Sequence, residues 1–478
     1  MGNPVIAGFF PDPTVCAADD GYYLACSSFE YFPGVPVFHS TDLTTWRQIG
    51  NALDRPSQLT PGGAADNQGV YAPTLRHHDG RFWLVTTNVS EAARGHLLVT
   101  ADDPAGPWSD PLHITGSSGI DPDIAWDATG SCYLTWSDAG IRQACIDPVA
   151  GRLLEEPRPL WSGTGLAYPE APHLHHHDGW WYLVIAEGGT ERGHCVAAAR
   201  SRSITGPFTG APGNPLLTRR GTTHPVQNTG HADLVRTPDG EWAAVYLGVR
   251  PRGTTPKFHV NGREVFLAGL DWVDGWPVFD TERHAVPAAD HSFTDTFDGD
   301  RLDPMWISPN SAPDRIAKPG PGGLGVDPAP ARDREPGILA VRARDLAWTV
   351  SARVRPGGGR ARLLVRVDDT HWCGVELGDG LAVALAEIGP LGTTLATLPV
   401  RPSEAVELVV RARAAPAHRG PDELWLGIRT SVGEHEMAVL DGRYLSTEVA
   451  GGFTGRVIGV QARQAPFVLE RFTYRTDG

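Results

Sequence analysis

The chain has 478 residues, which is long for one domain and suits two or three. Hydrophobic residues make up 41% and charged residues 20%, an ordinary globular balance with enough apolar material for a large core. A formal net charge of -15 disfavours nucleic acid and acidic membrane surfaces, both polyanions, so an uncharged substrate such as a sugar fits better.

No run of about 18 apolar residues marks a membrane span. The first residues carry no basic stretch followed by an apolar core, which gives the expectation of an unexported, cytoplasmic protein. Cys16, Cys26, Cys132, Cys145, Cys195 and Cys373 lie far apart without a Cys-x-x-Cys pair, so buried thiols are expected rather than a zinc or redox motif.

The first notable stretch is Gly8-Phe9-Phe10-Pro11-Asp12-Pro13. Proline fixes its own torsion and restricts the residue before it, so Asp12 is held in a pre-set conformation. Alone, it reads as a turn residue.

A local phrase then recurs, in which a turn ending in glycine precedes a short aromatic and β-branched run. The glycines are Gly21, Gly80, Gly130, Gly179 and Gly240, the first followed by Tyr22-Tyr23-Leu24 and the fourth by Trp180-Trp181-Tyr182-Leu183. Asp-Gly between apolar strands is a strong hairpin signal, because a type I′ turn needs positive φ at both central residues. Five copies at a spacing near 50 residues predict propeller blades. Second signals alternate with the first and end in Trp46, Trp108 and Phe208; each predicts an outer hairpin whose aromatic packs between blades.

The repeat fades after Trp276, and residues 288–290 read as a linker. Residues 309–336 are rich in proline and glycine and read as a long loop, after which alternating strands predict one β-sandwich. The expected fold is all-β: a five-bladed β-propeller over 1–288, then a β-sandwich of jelly-roll, concanavalin-like type over 289–478.

Three acidic residues stand out against this framework. Asp12, Asp121 and Glu170 all neighbour proline, and each lies nine residues before the glycine of its repeat. Equal phase predicts equal depth, and innermost propeller strands converge on the axis, so the three carboxylates are expected in one central pocket. His231, nine residues before Gly240, shares the phase. Crowded carboxylates in a partly dry pocket cannot all ionise normally, and a pair with divergent pKa values suits acid-base hydrolysis of a glycosidic bond. Phe29, Phe32 and Tyr71 are candidates to stack on a sugar ring, and Arg263 to bind hydroxyls and keep one carboxylate ionised.

The ordered motifs Phe10-Pro11-Asp12-Pro13, Ser28-Phe29-Glu30-Tyr31-Phe32-Pro33-Gly34, Val70-Tyr71-Ala72-Pro73, Ile120-Asp121-Pro122, Pro169-Glu170-Ala171-Pro172, Gly230-His231-Ala232 and Asn261-Gly262-Arg263-Glu264 resemble glycoside hydrolase family 43, nearest its two-domain β-xylosidase and α-L-arabinofuranosidase group. The resemblance covers the whole chain, including Gly451-Gly452-Phe453-Thr454-Gly455. It implies Asp12 as general base, Glu170 as general acid, and Asp121 as the carboxylate that orients the acid and modulates its pKa. It implies Phe29 and Tyr71 as pocket walls, Arg263 as the substrate-binding arginine, and His231 as a central histidine that touches a water-ligated metal such as Ca2+, with no cofactor required.

The implied activity is inverting, exo-acting release of pentoses from xylo-oligosaccharides or arabinose-bearing chains, as in xylan degradation. Alternatives are a galactofuranosidase or a non-catalytic sugar-binding propeller. Small oligosaccharides are the expected partners, with a homo-oligomer possible. Tyr71 stands where xylosidase relatives carry tryptophan, and the segment Thr190 to His194 also departs from them. His175-His176-His177 reads as a polar approach to a hairpin, since adjacent strand residues face opposite ways and cannot share one ion.

Overall fold

The computed structural model describes residues 2–60, 62–329, 337–356, 358–401, 406–416 and 419–477. In the N-terminal region strands form five antiparallel sheets of four or five strands each, whose first strands are Thr14–Ala18, Thr74–His78, Ile120–Trp126, Glu170–His177 and Gln227–Arg236. These five strands touch one another in cyclic order, the last returning to the first. A propeller closed on itself results.

Each seam between neighbouring sheets has its own apolar cluster. Burying a Leu, Val or Phe side chain contributes roughly 1.5–3 kcal/mol, so the ring is held by lateral packing rather than by one central core. The outer-hairpin aromatics take part: Trp108 is buried against Ala52 and Leu53 of the first sheet, Trp46 lies against the cluster shared by the last and first sheets, and Phe208 against that of the third and fourth.

The Asp-Gly turns match the type I′ expectation at Asp79-Gly80 and Asp178-Gly179, where both φ values are positive. At Asp20-Gly21 and Asp239-Gly240 only the glycine is positive, so these turns are of another kind.

The C-terminal region is a sandwich of two antiparallel sheets. One has eight strands, centred on Trp348–Pro356 and Phe467–Thr476; the other has six, centred on Arg360–Asp368 and Val457–Arg463. Alternation along these strands buries Val350, Ala352, Leu363, Val365, Leu408 and Val410 in a single core between the sheets. The loop expected over 309–336 is instead partly ordered: a short helix Pro313–Ile316 leads into the hairpin Ala317–Gly320 and Gly323–Val326, which extends the eight-stranded sheet. Residues 330–336 of that stretch lie outside the described residues.

The two regions share an apolar seam of Phe9, Phe29 and Tyr31 against Ile307, Ile338, Ala340, Leu364 and Val457. Polar clasps flank it. Buried Arg366 reaches Asp66 at 3.2 Å, and His259 Nδ1 meets Glu448 Oε1 at 2.7 Å. The pocket is thereby built from both regions.

Candidate active site

The innermost strands carry bulges where the acidic residues lie. Pairing shifts between Ile120 and Asp123, between Glu170 and His173, and on both sides of Gly230. Asp12, Asp121, Ala171 and His231 all take φ near +50°, a conformation costly for residues with a Cβ. Such bulges turn side chains out of the alternating pattern and toward the axis.

Asp12 is buried and held on three sides. Arg263 Nη1 donates to its Oδ1 at 2.5 Å, Ser27 Oγ donates to its Oδ2 at 2.6 Å, and His231 Nδ1 lies 3.6 Å from Oδ1. Burial pushes this carboxyl up, but Arg263, His231 and Ser27 together hold it below its ordinary value. It is ionised at neutral pH.

Asp121 and Glu170 behave oppositely. Burial, then the neighbouring Glu170 and Asp12, drive Asp121 well above the carboxylate range, although the Ala171 N–H donates to its Oδ2 at 3.1 Å. Burial and Asp12 raise Glu170 to about 7 against the lowering influence of Arg263 and the Thr190 hydroxyl. Around one guanidinium there are thus one carboxylate and two carboxyls that retain protons more readily, the divergence that acid-base work needs.

Glu170 and Arg263 line a cavity of about 720 Å³, with Tyr168, Thr190 and Asn228 from the propeller and Thr447, Glu448 and Phe453 from the sandwich. Phe453 gives the cavity an aromatic wall, backed by two further rings: Phe29 stacks on Phe453 at 5.8 Å and 20°, and Tyr71 meets Phe29 at 5.1 Å and Phe453 at 6.0 Å. Arg263 lies 5.8 Å from the Phe29 ring and 5.7 Å from that of Phe453.

Asn67 fixes this wall. Its Oδ1 accepts from the Phe453 N–H at 2.7 Å and the Thr454 N–H at 3.2 Å, while its carbonyl accepts from the Tyr71 hydroxyl at 3.1 Å. A Cβ on Gly452 would come within 2.3 Å of the Asn67 amide, so glycine is required for the approach.

Phe32 is a correction. Its strand Tyr31–Phe32 pairs with Ser308–Pro309, and the ring is buried among Val35, Val37, Leu53 and Leu59, where it also borders a separate groove at Trp306. It supports the domain seam and does not face the carboxylates.

His231 lies beside Asp12, and burial pushes its imidazole down to about 3, so the ring is neutral. Calcium takes six to eight oxygen ligands, and among the described residues no group of three His, Cys, Asp or Glu could hold a metal. One layer deeper, Arg76 donates to Asp123 and Asp233 at 2.7 Å each, so these carboxylates already face a cation. The donor set does not fit a protein-caged calcium, and no step is assigned to one.

Residues 175–177 form the expected approach to the hairpin at Asp178-Gly179, with side chains that part to different neighbours. His175 is turned inward, with Nε2 3.0 Å from Asp233 Oδ1; His177 stacks on Trp272 at 4.3 Å, and only His176 is exposed. Sequence reading missed Ser27, Asn67, Arg76 and the role of His194. Gly452 and Gly230, whose glycine character leaves room for Asn67 and His194, are the signals that could have exposed two of them.

An N-terminal propeller with an acidic axis, roofed by a β-sandwich, defines a two-domain, all-β class of protein. The glycosyl hydrolases family 43 model matches residues 1–277, and the β-xylosidase C-terminal concanavalin A-like domain model matches 294–466. The chain belongs to glycosyl hydrolase family 43.

It is 43% identical over 294 residues to a xylosidase/arabinosidase of Butyrivibrio fibrisolvens, covering 58% of this chain and 56% of that one. It is 44% identical over 280 residues to the non-reducing end α-L-arabinofuranosidase BoGH43B of Bacteroides ovatus, covering 58% and 52%. The chain thus spans little more than half the length of these curated relatives. Among solved structures, the Bacteroides ovatus xyloglucan PUL GH43B superposes with a TM-score of 0.90 at 31% identity over all of both chains. A xylan β-1,4-xylosidase from Bacillus halodurans C-125 gives 0.89 at 27% identity, covering 99% of this chain and 100% of that one.

Proposed function

We propose that the chain is an inverting exo-glycosidase that releases single pentoses from the non-reducing ends of xylo-oligosaccharides or arabinose-bearing chains. The five sheets are read as the blades of a five-bladed propeller, with the boundary to the sandwich near residue 288. Asp12 is the general base that takes a proton from water, and Glu170 is the general acid that protonates the leaving oxygen. Asp121, itself driven toward its neutral form, accepts from the Ala171 N–H and so helps orient the neighbouring Glu170.

The observation that carries the reading is the unequal setting of the two carboxyls: Arg263 and Ser27 donate directly to Asp12 and hold it ionised, whereas Glu170 lines the cavity, where burial and the Asp12 charge raise it to about 7. Both proton transfers are handled by side chains of the chain itself. Phe453, backed by Phe29 and Tyr71, supplies an apolar face for a sugar ring, and the sandwich residues that wall the cavity support action on chain ends. Names of the relatives support both xylose and arabinose as the sugar. Hydrolysis of 4-nitrophenyl β-D-xylopyranoside against the α-L-arabinofuranoside decides between them, and a folded enzyme inert on both contradicts the pentosidase reading.

The pH profile of kcat/KM follows from the same split. Activity needs Asp12 ionised and Glu170 protonated, so the acid limb falls below the ordinary carboxylate range and the alkaline limb falls near pH 7. A profile that keeps rising to pH 9 is incompatible with Glu170 as the acid.

Asn67→Ala frees the backbone at Phe453 and Thr454 from its anchor. KM is expected to rise about tenfold, in line with the roughly 0.5–1.5 kcal/mol net contribution of each of the two lost hydrogen bonds, with kcat changed much less. Steady-state kinetics on xylobiose checks this, and an unchanged KM counts against Phe453 as a wall.

A further inference from the structure

Beside Glu170 lies a buried ring that the roles above do not use. His194 is 1% exposed, and its Nδ1 is 3.1 Å from the carbonyl oxygen of Asn228. A carbonyl can only accept, so Nδ1 carries the hydrogen. Burial pushes the imidazole down to about 4, which leaves the ring neutral and Nε2 with a bare lone pair. That nitrogen is buried without a hydrogen-bond partner and lies 3.7 Å from Oε1 of Glu170.

The space for the ring is built in. A Cβ at Gly230 would come within 2.3–2.5 Å of three His194 ring atoms, so the bulged strand Gln227–Arg236 must pass with no side chain there. Two backbone features of one strand, the Asn228 carbonyl and the bare Gly230, therefore fix where the ring sits and which nitrogen faces the acid.

We propose that His194 is a positioning residue for the general acid: its Nε2 accepts from a protonated Glu170 and repels the ionised form, so the carboxyl is kept loaded until a glycosidic oxygen competes for the proton. The inference rests on Glu170 being the acid. A small shift of the Glu170 carboxyl from 3.7 Å brings its proton on Oε1 into hydrogen-bond distance of Nε2; on cleavage the proton passes to the leaving oxygen, and the carboxylate left behind faces a lone pair. The other groups facing Glu170 are Asp12, which also favours its neutral form, Asp121, which is itself driven neutral, and Arg263 and the Thr190 hydroxyl, which favour its charged form. His194 supplies an acceptor among them that no carboxylate replaces, since it is uncharged and fixed in one tautomer.

The test uses three proteins, wild type, His194→Ala and His194→Gln, with kcat/KM on xylobiose measured across pH. Removing the acceptor and admitting water, which can donate to the carboxylate, is expected to lower the alkaline limb of His194→Ala by about one pH unit, a tenfold change in the acid's ionisation. Glutamine can give its N–H to the Asn228 carbonyl and present its oxygen to Glu170, so His194→Gln is expected to restore most of that shift. Activity lowered with no movement of the limb assigns the ring a merely structural part and overturns the proposal.

Should His194→Ala not fold, 15N NMR of the wild-type imidazole serves: Nδ1–H with an unprotonated, hydrogen-bonded Nε2 at pH 6 is expected, and the Nε2–H tautomer or an imidazolium overturns the proposal. Glu170→Ala separates the two failures. If its alkaline limb matches wild type, it is the assignment of the acid that is wrong.

Discussion

Glu170→Ala is expected to lower kcat on xylobiose by about 10²–10⁴-fold, the range of general acid catalysis. The loss should shrink as the leaving group improves. A sugar alkoxide needs the proton, whereas a dinitrophenolate departs without it, so the variant's rate on the activated aryl glycoside should fall far less. The alkaline limb near pH 7 should disappear on that substrate, because the group that sets it has gone. A loss equal on xylobiose and on the dinitrophenyl glycoside contradicts the role of Glu170 as acid. The residue begins its strand and its side chain lines the cavity, so alanine enlarges an existing space rather than opening a void in the packed core, and the thermal midpoint should move little.

The second large effect is at Asp12. Asp12→Asn keeps one oxygen to accept from the Arg263 guanidinium, turns an N–H toward the Ser27 hydroxyl, and removes the group that accepts a proton from water. A loss of about 10²–10⁴-fold is expected here too, but independent of the leaving group, since water must be activated whatever departs. The pairing of the two variants is diagnostic. Loss graded by leaving group at Glu170 and ungraded loss at Asp12 together assign acid and base, while the reverse pattern exchanges the roles. Asp12→Asn also removes a charge that raises Glu170, so any residual activity should have its alkaline limb shifted to lower pH.

Position along the axis was legible in the sequence because it depends on period and phase. Asp12, Tyr71, Asp121, Glu170 and His231 occupy equivalent places before the repeat's glycine, and four of the five inner strands meet the site there through bulges or strained torsions. What periodicity cannot see is contact across great sequence distance. Asn67 and Phe453 meet over 386 residues, and nothing local to either says so. Phe32 was misplaced for the same reason: its aromatic motif looks like pocket lining, but pairing with Ser308, far along the chain, makes it part of the domain seam.

Residues 317–326 misled through composition. Proline and glycine there do not make a loop, because Gly322 and Gly323 supply the positive φ of a tight turn and Ala317–Gly320 can pair as an edge strand. His194 was hidden in another way. Its importance comes from a carbonyl and a missing Cβ on a neighbouring strand, neither of which is a property of its own motif.

The central claim is that water activated at Asp12 displaces a leaving group protonated by Glu170 in one step. Proton NMR of the first sugar released from an aryl β-D-xylopyranoside, or from the α-L-arabinofuranoside if that is the better substrate, tests it before mutarotation scrambles the product. Appearance of the opposite anomer, α-xylose or β-arabinose, at early times is the predicted result. Initial release of the same anomer as the substrate would mean a covalent intermediate and would contradict the account.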